Sequence, residues 1–81
     1  MSPFEFAALV RVQIVPGRWP WAVASDGDRV FVTHDEDPRV VESRLWEGVA
    51  QCLLTRKGVA WSESDARKLG AFMSSNCPTI H

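Results

Sequence analysis

The sequence predicts a single small α+β domain, in which a three-stranded antiparallel sheet (a β-meander) is covered on one face by two C-terminal helices, in the order β-β-β-α-α. Three observations predict this fold. Apolar residues alternate with polar ones early in the chain, an Asp-Gly pair lies between two β-rich runs, and apolar residues recur every fourth position after residue 38. At 81 residues, the chain has room for one domain, spanning 1–81.

The first strand is predicted over residues 6–15, where the alternation is that of a half-buried strand. Residues 16–18 are Pro-Gly-Arg, which have turn chemistry. A second strand is predicted over residues 19–23, with Trp and Val alternating along it. Because Pro20 cannot donate to a ladder, this strand is expected at a sheet edge or to begin there.

The third strand is predicted over residues 29–33, after the Asp-Gly pair at residues 26–27. Asp-Gly between two β-rich runs is typical of a tight hairpin, so the second and third strands are expected to pair. With Val30 and Val32 turned toward the core, Phe31 is expected on the open face of the sheet.

Two helices follow, each with its own start and stop residues. Asp37-Pro38 predicts an N-cap and first helical residue, and Lys57-Gly58 predicts the C-terminal end. Ser62 with Asp65 resembles a capping box for a second helix that ends near Asn76.

Gly48 and Gly70 fall inside the predicted helices, where each costs about 1 kcal/mol relative to Ala. We therefore expect them at positions where the helices cross closely. Trp46 lies beside the main apolar stripe of the first helix, so it either packs at the helix edge, which is the more common outcome, or faces outward, where an exposed Trp would indicate a partner.

Composition limits the classes of function. The formal net charge is -1, which gives no overall attraction to nucleic acid or to anionic membranes. The first residues form neither a basic segment nor a long apolar one, so a cytoplasmic location is expected. Cys52 and Cys77 have no framework spacing and are predicted to be reduced thiols.

No catalytic site, metal site or cofactor is predicted. The run His34-Asp35-Glu36-Asp37 could bind a divalent cation or share acid and base roles, but helix capping and solvation explain it better. Zinc binding through Cys52, Cys77, His34 and His81 lacks the paired spacing of known sites. Nucleophile elbows, phosphate loops and dinucleotide fingerprints are absent from the sequence.

The most site-like feature combines Trp and Arg, the residues that dominate binding hot spots, around residues 18–21. Trp19 and Arg18 are the better candidates for an exposed contact, whereas Trp21 divides evenly between core and surface. An acidic flank over residues 26–37 accompanies them. The predicted partner-binding residues are Arg18, Trp19, Trp21, Phe31, Asp26 and Asp28.

Two local resemblances suggest nucleic-acid binding as the alternative function. Residues 18–24 and 28–34 resemble the two aromatic strands of cold-shock domains, which stack bases on a sheet face. Residues 54–62 are similar to the turn of a helix-turn-helix. In that case the phosphate contacts would come from Arg56, Lys57, Arg67 and Lys68.

The predicted architecture as a whole resembles small phage-encoded inhibitors, including several anti-CRISPR proteins: a W-x-W strand, a short Asp-Gly hairpin and then one or two helices. The resemblance implies a protein that occludes a larger host machine through one surface, without chemistry of its own. The sequence hypothesis is therefore a non-enzymatic, cytoplasmic protein-binding module that inhibits a host protein or protein complex.

Overall fold

The computed structural model describes residues 1–76 and has three helices and three strands. In chain order they are α1 (Pro3–Leu9), β1 (Gln13–Gly17), β2 (Val23–Asp26), β3 (Arg29–Thr33), α2 (Pro38–Arg56) and α3 (Glu63–Asn76). The α+β class, the three-stranded sheet and the two C-terminal helices are as predicted. The N-terminal helix was not predicted, and the sheet differs from a β-meander.

The sheet is mixed, not antiparallel. Its strand order is β1-β3-β2, so that β3 lies in the centre. β2 pairs with β3 antiparallel, as predicted, but β1 pairs with β3 parallel, with Gln13 opposite Arg29 and Gly17 opposite Thr33. The prediction of a meander was wrong because residues 18–22 are not a tight turn; they carry the chain past the position of β3 before β2 begins.

The predicted first strand over residues 6–15 was wrong in its first half, which belongs to α1. A capping box starts this helix: the Glu5 N–H donates to Ser2 Oγ at 3.1 Å, and the Ser2 N–H donates to Glu5 Oε1 at 3.2 Å. Pro3 occupies the first helical position, which its fixed φ favours. These local bonds outweigh the alternation that favoured a strand, and the extended chain begins only at Gln13.

The β2–β3 hairpin turns at Gly27, whose φ of +60° is the left-handed conformation that glycine adopts without a steric cost. Asp26 pairs with Arg29 across the turn. The predicted second strand over residues 19–23 was wrong in its bounds, since β2 begins only at Val23. Pro20 falls in the loop that precedes it, in keeping with its inability to donate to a ladder.

Both C-terminal helices begin as predicted. Asp37 accepts the Arg39 N–H at 2.9 Å, and Ser62 and Asp65 exchange two backbone-to-side-chain bonds of 3.0 and 3.2 Å. α2 ends at the predicted Lys57-Gly58, with Gly58 in the left-handed conformation.

α2 packs on one face of the sheet, which we call the inner face, and α3 packs on α2. The prediction that both C-terminal helices cover the sheet was therefore wrong, because α3 buries its apolar side against α2. Gly70 allows close contact between the helices, because a Cβ atom there would lie 3.0 Å from backbone atoms of Trp46 and Glu47. Gly48 instead faces the sheet, against Val30, so its predicted role in a helix crossing was wrong. Trp46 is 2% exposed, with its ring 5.5 Å from that of Phe6, which confirms that it packs inward.

Among the helices in residues 1–76, none combines the length and apolar character that a membrane crossing requires.

Candidate functional site

The candidate site lies on the outer face of the sheet, opposite the face that α2 covers. Side chains alternate along β3, so that Val30 and Val32 face inward and are buried while Phe31 and Thr33 face outward. Val15 on β1 and Ala24 on β2 both pair with Phe31 and complete an outer row across the three strands. This placement of Phe31 confirms the sequence prediction.

Trp19 folds back over this outer face from the loop of residues 18–22. Its indole N–H donates to the carbonyl of Val15 at 3.3 Å, and its ring meets Phe31 edge to face with centroids 5.1 Å apart. Gly17 makes room for the ring, since a Cβ atom at position 17 would lie 3.1 Å from its Cε2 and Nε1 atoms. Trp19 therefore lies close against the backbone at the end of β1.

The Thr33 hydroxyl holds the loop in this position. Its oxygen accepts the Trp19 N–H at 3.0 Å, and the hydroxyl lies within hydrogen-bond distance of the carbonyls of Trp19 and Trp21. One side chain on the central strand thus organises both tryptophans. Gly17 and Thr33 were not predicted as site residues, because their role depends on where the loop returns to the sheet.

Trp21 stacks on Trp19, with ring centroids 6.0 Å apart and planes 4° from parallel. It is 43% exposed, so its predicted alternative role as a core residue was wrong. Trp19, predicted as the better candidate for an exposed contact, is the half-buried one of the two. We call Trp19, Trp21 and Phe31 the aromatic patch. Arg18, the other predicted contact residue, is exposed next to Trp19 in the chain.

The structure does not place Asp26 and Asp28 beside the aromatic patch; the rest of the predicted acidic flank, residues 34–37, follows β3 at the same end of the sheet as Trp19. Asp26 pairs with Arg29 at the hairpin end of the sheet, whereas Trp19 lies against the end of β1 at Gly17. Asp28, in the turn, accepts from Arg56 at 2.9 Å. The patch and the carboxylates of the hairpin therefore occupy opposite ends of the strands.

Two of the four basic residues proposed for phosphate contacts, Arg56 and Arg67, are engaged with other groups. Arg56 bonds Asp28 and also donates to the carbonyl of Arg11 at 3.0 Å. Arg67 contacts Glu47 at 3.4 Å and Glu63 at 3.2 Å. Lys57 caps the end of α2, and Lys68 is exposed on α3. Two of the four cations are thus paired with carboxylates.

The acidic run before α2 makes local structural bonds. Asp35 accepts the Asp37 N–H at 2.9 Å and lies 3.7 Å from Arg44, while His34 and Glu36 are exposed. Within residues 1–76, no three His, Cys, Asp or Glu side chains come close enough to hold a metal ion. Cys77 and His81 lie outside the described residues, and with them the zinc hypothesis.

Cys52 is fully buried beneath the sheet, with its thiol 3.9 Å from the carbonyl of Arg29. Burial raises the pKa of this thiol to about 11, an effect that nearby Arg56 opposes and Asp28 reinforces. A nucleophilic cysteine needs an accessible thiolate, so Cys52 has the character of a structural residue.

Comparison with protein-family models found no match for this chain. Comparisons with curated proteins and with solved structures found no match either. The functional assignment therefore depends on the geometry of the chain's own residues, and among the predicted site residues the aromatic patch is the group that the fold brings together.

Proposed function

We propose that this chain is a non-enzymatic protein-binding module that contacts its partner through the aromatic patch and Arg18. The observation that carries the proposal is the pair of parallel tryptophans on the outer face, with Trp21 43% exposed to solvent. Tryptophan and arginine are the residues most enriched in binding hot spots. Burying an exposed indole against a partner removes a large apolar area from water.

The order of the patch before binding supports the same proposal. Trp19 is fixed by its bonds to Val15 and Thr33 and by its packing on Phe31, and Trp21 is fixed by stacking on Trp19. Side chains that are ordered in the free protein lose little conformational freedom on association. A rigid aromatic surface of this kind favours one specific partner over many weak contacts.

The proposal also covers the kind of partner that the chain binds. We take it to be a host protein or protein complex in the cytoplasm, which the chain would inhibit by occlusion as a phage or mobile-element product. This part rests on the sequence resemblance to small phage-encoded inhibitors and stays a prediction. A binding surface without chemistry of its own is what such a role requires.

The test is a capture experiment with matched variants. Tagged wild-type chain, Trp21→Ala and Phe72→Ala are each used to capture proteins from a lysate of the host after nuclease treatment, and bound proteins are quantified by mass spectrometry. Phe72 is the control, since it is 64% exposed on α3 and lies outside the patch. Far-UV circular dichroism checks that all three chains are folded.

We expect one complex to be retained by the wild type and by Phe72→Ala, and to be lost from Trp21→Ala. Arg18→Ala should weaken the same complex. If Trp21→Ala and the wild type retain the same proteins in equal amounts, the aromatic patch is not the contact surface and the proposal fails.

Nucleic-acid binding is the second candidate, favoured by the exposed ring of Trp21 on which a base could extend the stack. The sheet-face version is the better supported one, because Arg56 and Arg67 of the helical version are paired with carboxylates. Fluorescence titration with single-stranded oligonucleotides should show an affinity that falls steeply with salt. The absence of binding at low salt would eliminate this candidate.

A further inference from the structure

The two edges of the sheet differ in their ability to accept another strand. On β2, the Thr33 N–H donates to Ala22 at 2.9 Å, and the register continues through Ala24 opposite Phe31. Because bonding alternates along an antiparallel pair, the N–H and C=O groups of Val23 and Ser25 point away from β3. No hydrogen bond from elsewhere in residues 1–76 reaches these four groups.

The opposite edge, on β1, is blocked. The Gln13 N–H donates to Asp28, and Gly17 accepts from the His34 N–H, so these residues face β3. The backbone groups that point away from β3 at this edge are therefore those of Ile14 and Pro16, and Pro16 has no N–H to donate. A proline on an edge strand is a common protection against further pairing. β2 has no proline, lysine or arginine in Val23–Asp26.

We propose that a second copy of this chain pairs with the β2 edge in antiparallel orientation and extends the sheet across a two-fold axis at Ala24. In that register, Val23 lies opposite the partner's Ser25, and Ser25 lies opposite the partner's Val23. Each pair exchanges two backbone hydrogen bonds, so the N–H and C=O groups of Val23 and Ser25 all have partners in both chains. This inference does not depend on the function of the aromatic patch.

The side chains of β2 fit a second copy because they are self-complementary in this register. Ala24 meets the partner's Ala24 at the axis, where small side chains allow close approach. Asp26 lies opposite the partner's Ala22, so that no like charges face one another. The two-fold axis is perpendicular to the sheet, and both aromatic patches therefore lie on the same face of the dimer.

The test uses the residue at the axis. Ala24→Lys and Ala24→Glu each place two like charges directly opposite one another in the dimer, whereas in the monomer the new side chain lies on the outer face. The molecular mass of wild-type and variant chains is measured by analytical ultracentrifugation over a range of protein concentrations. We expect the wild type to approach the mass of a dimer as the concentration rises.

Each single variant should weaken the dimer by about fivefold or more, and an equimolar mixture of Ala24→Lys and Ala24→Glu should restore it, because opposite charges then meet at the axis. Restoration by mixing also shows that both variants are folded. Gln13→Lys and Gln13→Glu are the matched controls, since Gln13 is exposed on β1, and they should dimerise like the wild type.

Three results would overturn the inference. One is a monomer mass at every concentration of the wild-type chain, which would leave the β2 edge open to an extended segment of another protein. A second is a dimer that neither Ala24 variant weakens. The third is a dimer that Trp21→Ala abolishes, because the copies would then associate through the aromatic patch.

Discussion

Val30 and Phe31 are neighbours on β3, yet they meet different surroundings on the two faces of the sheet. Val30 is 0% exposed on the inner face, where α2 approaches so closely that a Cβ atom on Gly48 would overlap Val30 Cγ1. Phe31, on the outer face, is half-buried and packs edge to face against Trp19 from a short loop. One face is covered by a long helix and the other by two side chains.

The inner face mainly determines the stability of the fold, whereas the outer face leaves side chains accessible for recognition. The inner face gains its burial from extensive contact between α2 and the sheet, and its glycine marks how tightly these layers fit. The outer face is ordered by one hydroxyl, one glycine and ring stacking, and it leaves Trp21 accessible. Substitutions on the inner face should therefore change the free energy of unfolding most, and substitutions on the outer face should change binding most.

Gly48→Ala gives the largest expected effect on this comparison. The new methyl group would overlap Val30 and contact Val23 at 3.0 Å, so α2 must move away from the sheet. Overpacking of this kind should lower the free energy of unfolding by about 3 kcal/mol, in spite of the higher helix propensity of alanine. Urea unfolding followed by circular dichroism measures the change.

A double-mutant cycle shows whether the cause is the contact with Val30. In a Val30→Ala background, space is available for the new methyl group, and the cost of Gly48→Ala should fall by about half or more. Ser43→Ala, at an exposed position on the same helix, should leave stability nearly unchanged. A cost of Gly48→Ala that is equal in both backgrounds would contradict the proposed close contact.

Elements with local signals could be predicted from the sequence, whereas pairing between distant segments could not. α2, α3 and the β2–β3 hairpin were predicted because their signals are local: Asp37, Gly58, the Ser62–Asp65 box and the Asp-Gly turn. α1 also has a local signal in Ser2 and Glu5, but the alternation of the following residues outweighed it. The parallel pairing of β1 could not be predicted, since it depends on contacts between residues far apart in the chain.

The candidate site was predicted in part. Trp19, Trp21 and Phe31 do come together, because the sequence types suited to binding lie close in the chain. Asp26 and Asp28 were grouped with them by sequence proximity alone, and the hairpin carries both to the other end of the sheet. The role of Thr33 could not be inferred, because a single threonine in a strand has no distinctive pattern.

The inner layer also contains a buried thiol whose ionisation should weaken the fold at alkaline pH. Burial raises the pKa of Cys52 from 9.0 to about 11 in the folded chain. Below pH 9 the thiol is protonated in both states and has no effect. Between pH 9 and 11 only the unfolded chain ionises, so stability should fall by about 2 kcal/mol and then level off.

Comparison with Cys52→Ala isolates this effect from other alkaline titrations, which both chains share. Urea unfolding of the two chains at pH 8 and at pH 11 should show the wild type losing more stability than Cys52→Ala over that interval. Equal losses in the two chains would mean that the thiol ionises as easily in the folded protein as in the unfolded one.

Thr33→Val should have the smallest effect on stability but a specific effect on the outer face. Valine matches the shape of threonine without the hydroxyl, so the Trp19 N–H loses its acceptor and the loop loses its link to β3. Removing one partner from a half-buried hydrogen bond costs about 1 kcal/mol. The near-UV circular dichroism of the stacked tryptophans should decrease although the protein stays folded, because the mutual orientation of the two rings depends on the loop.

Thr55→Val is the matched control for this substitution. The Thr55 hydroxyl accepts the indole N–H of Trp61 at 3.0 Å and lies on α2, which packs on the inner face of the sheet. Its loss should leave the signal of the Trp19–Trp21 pair and the binding of a partner unchanged. If Thr33→Val also leaves the near-UV signal and partner binding unchanged, the two tryptophans are held by ring packing against Phe31 and Gly17. The hydroxyl of Thr33 would then not organise them.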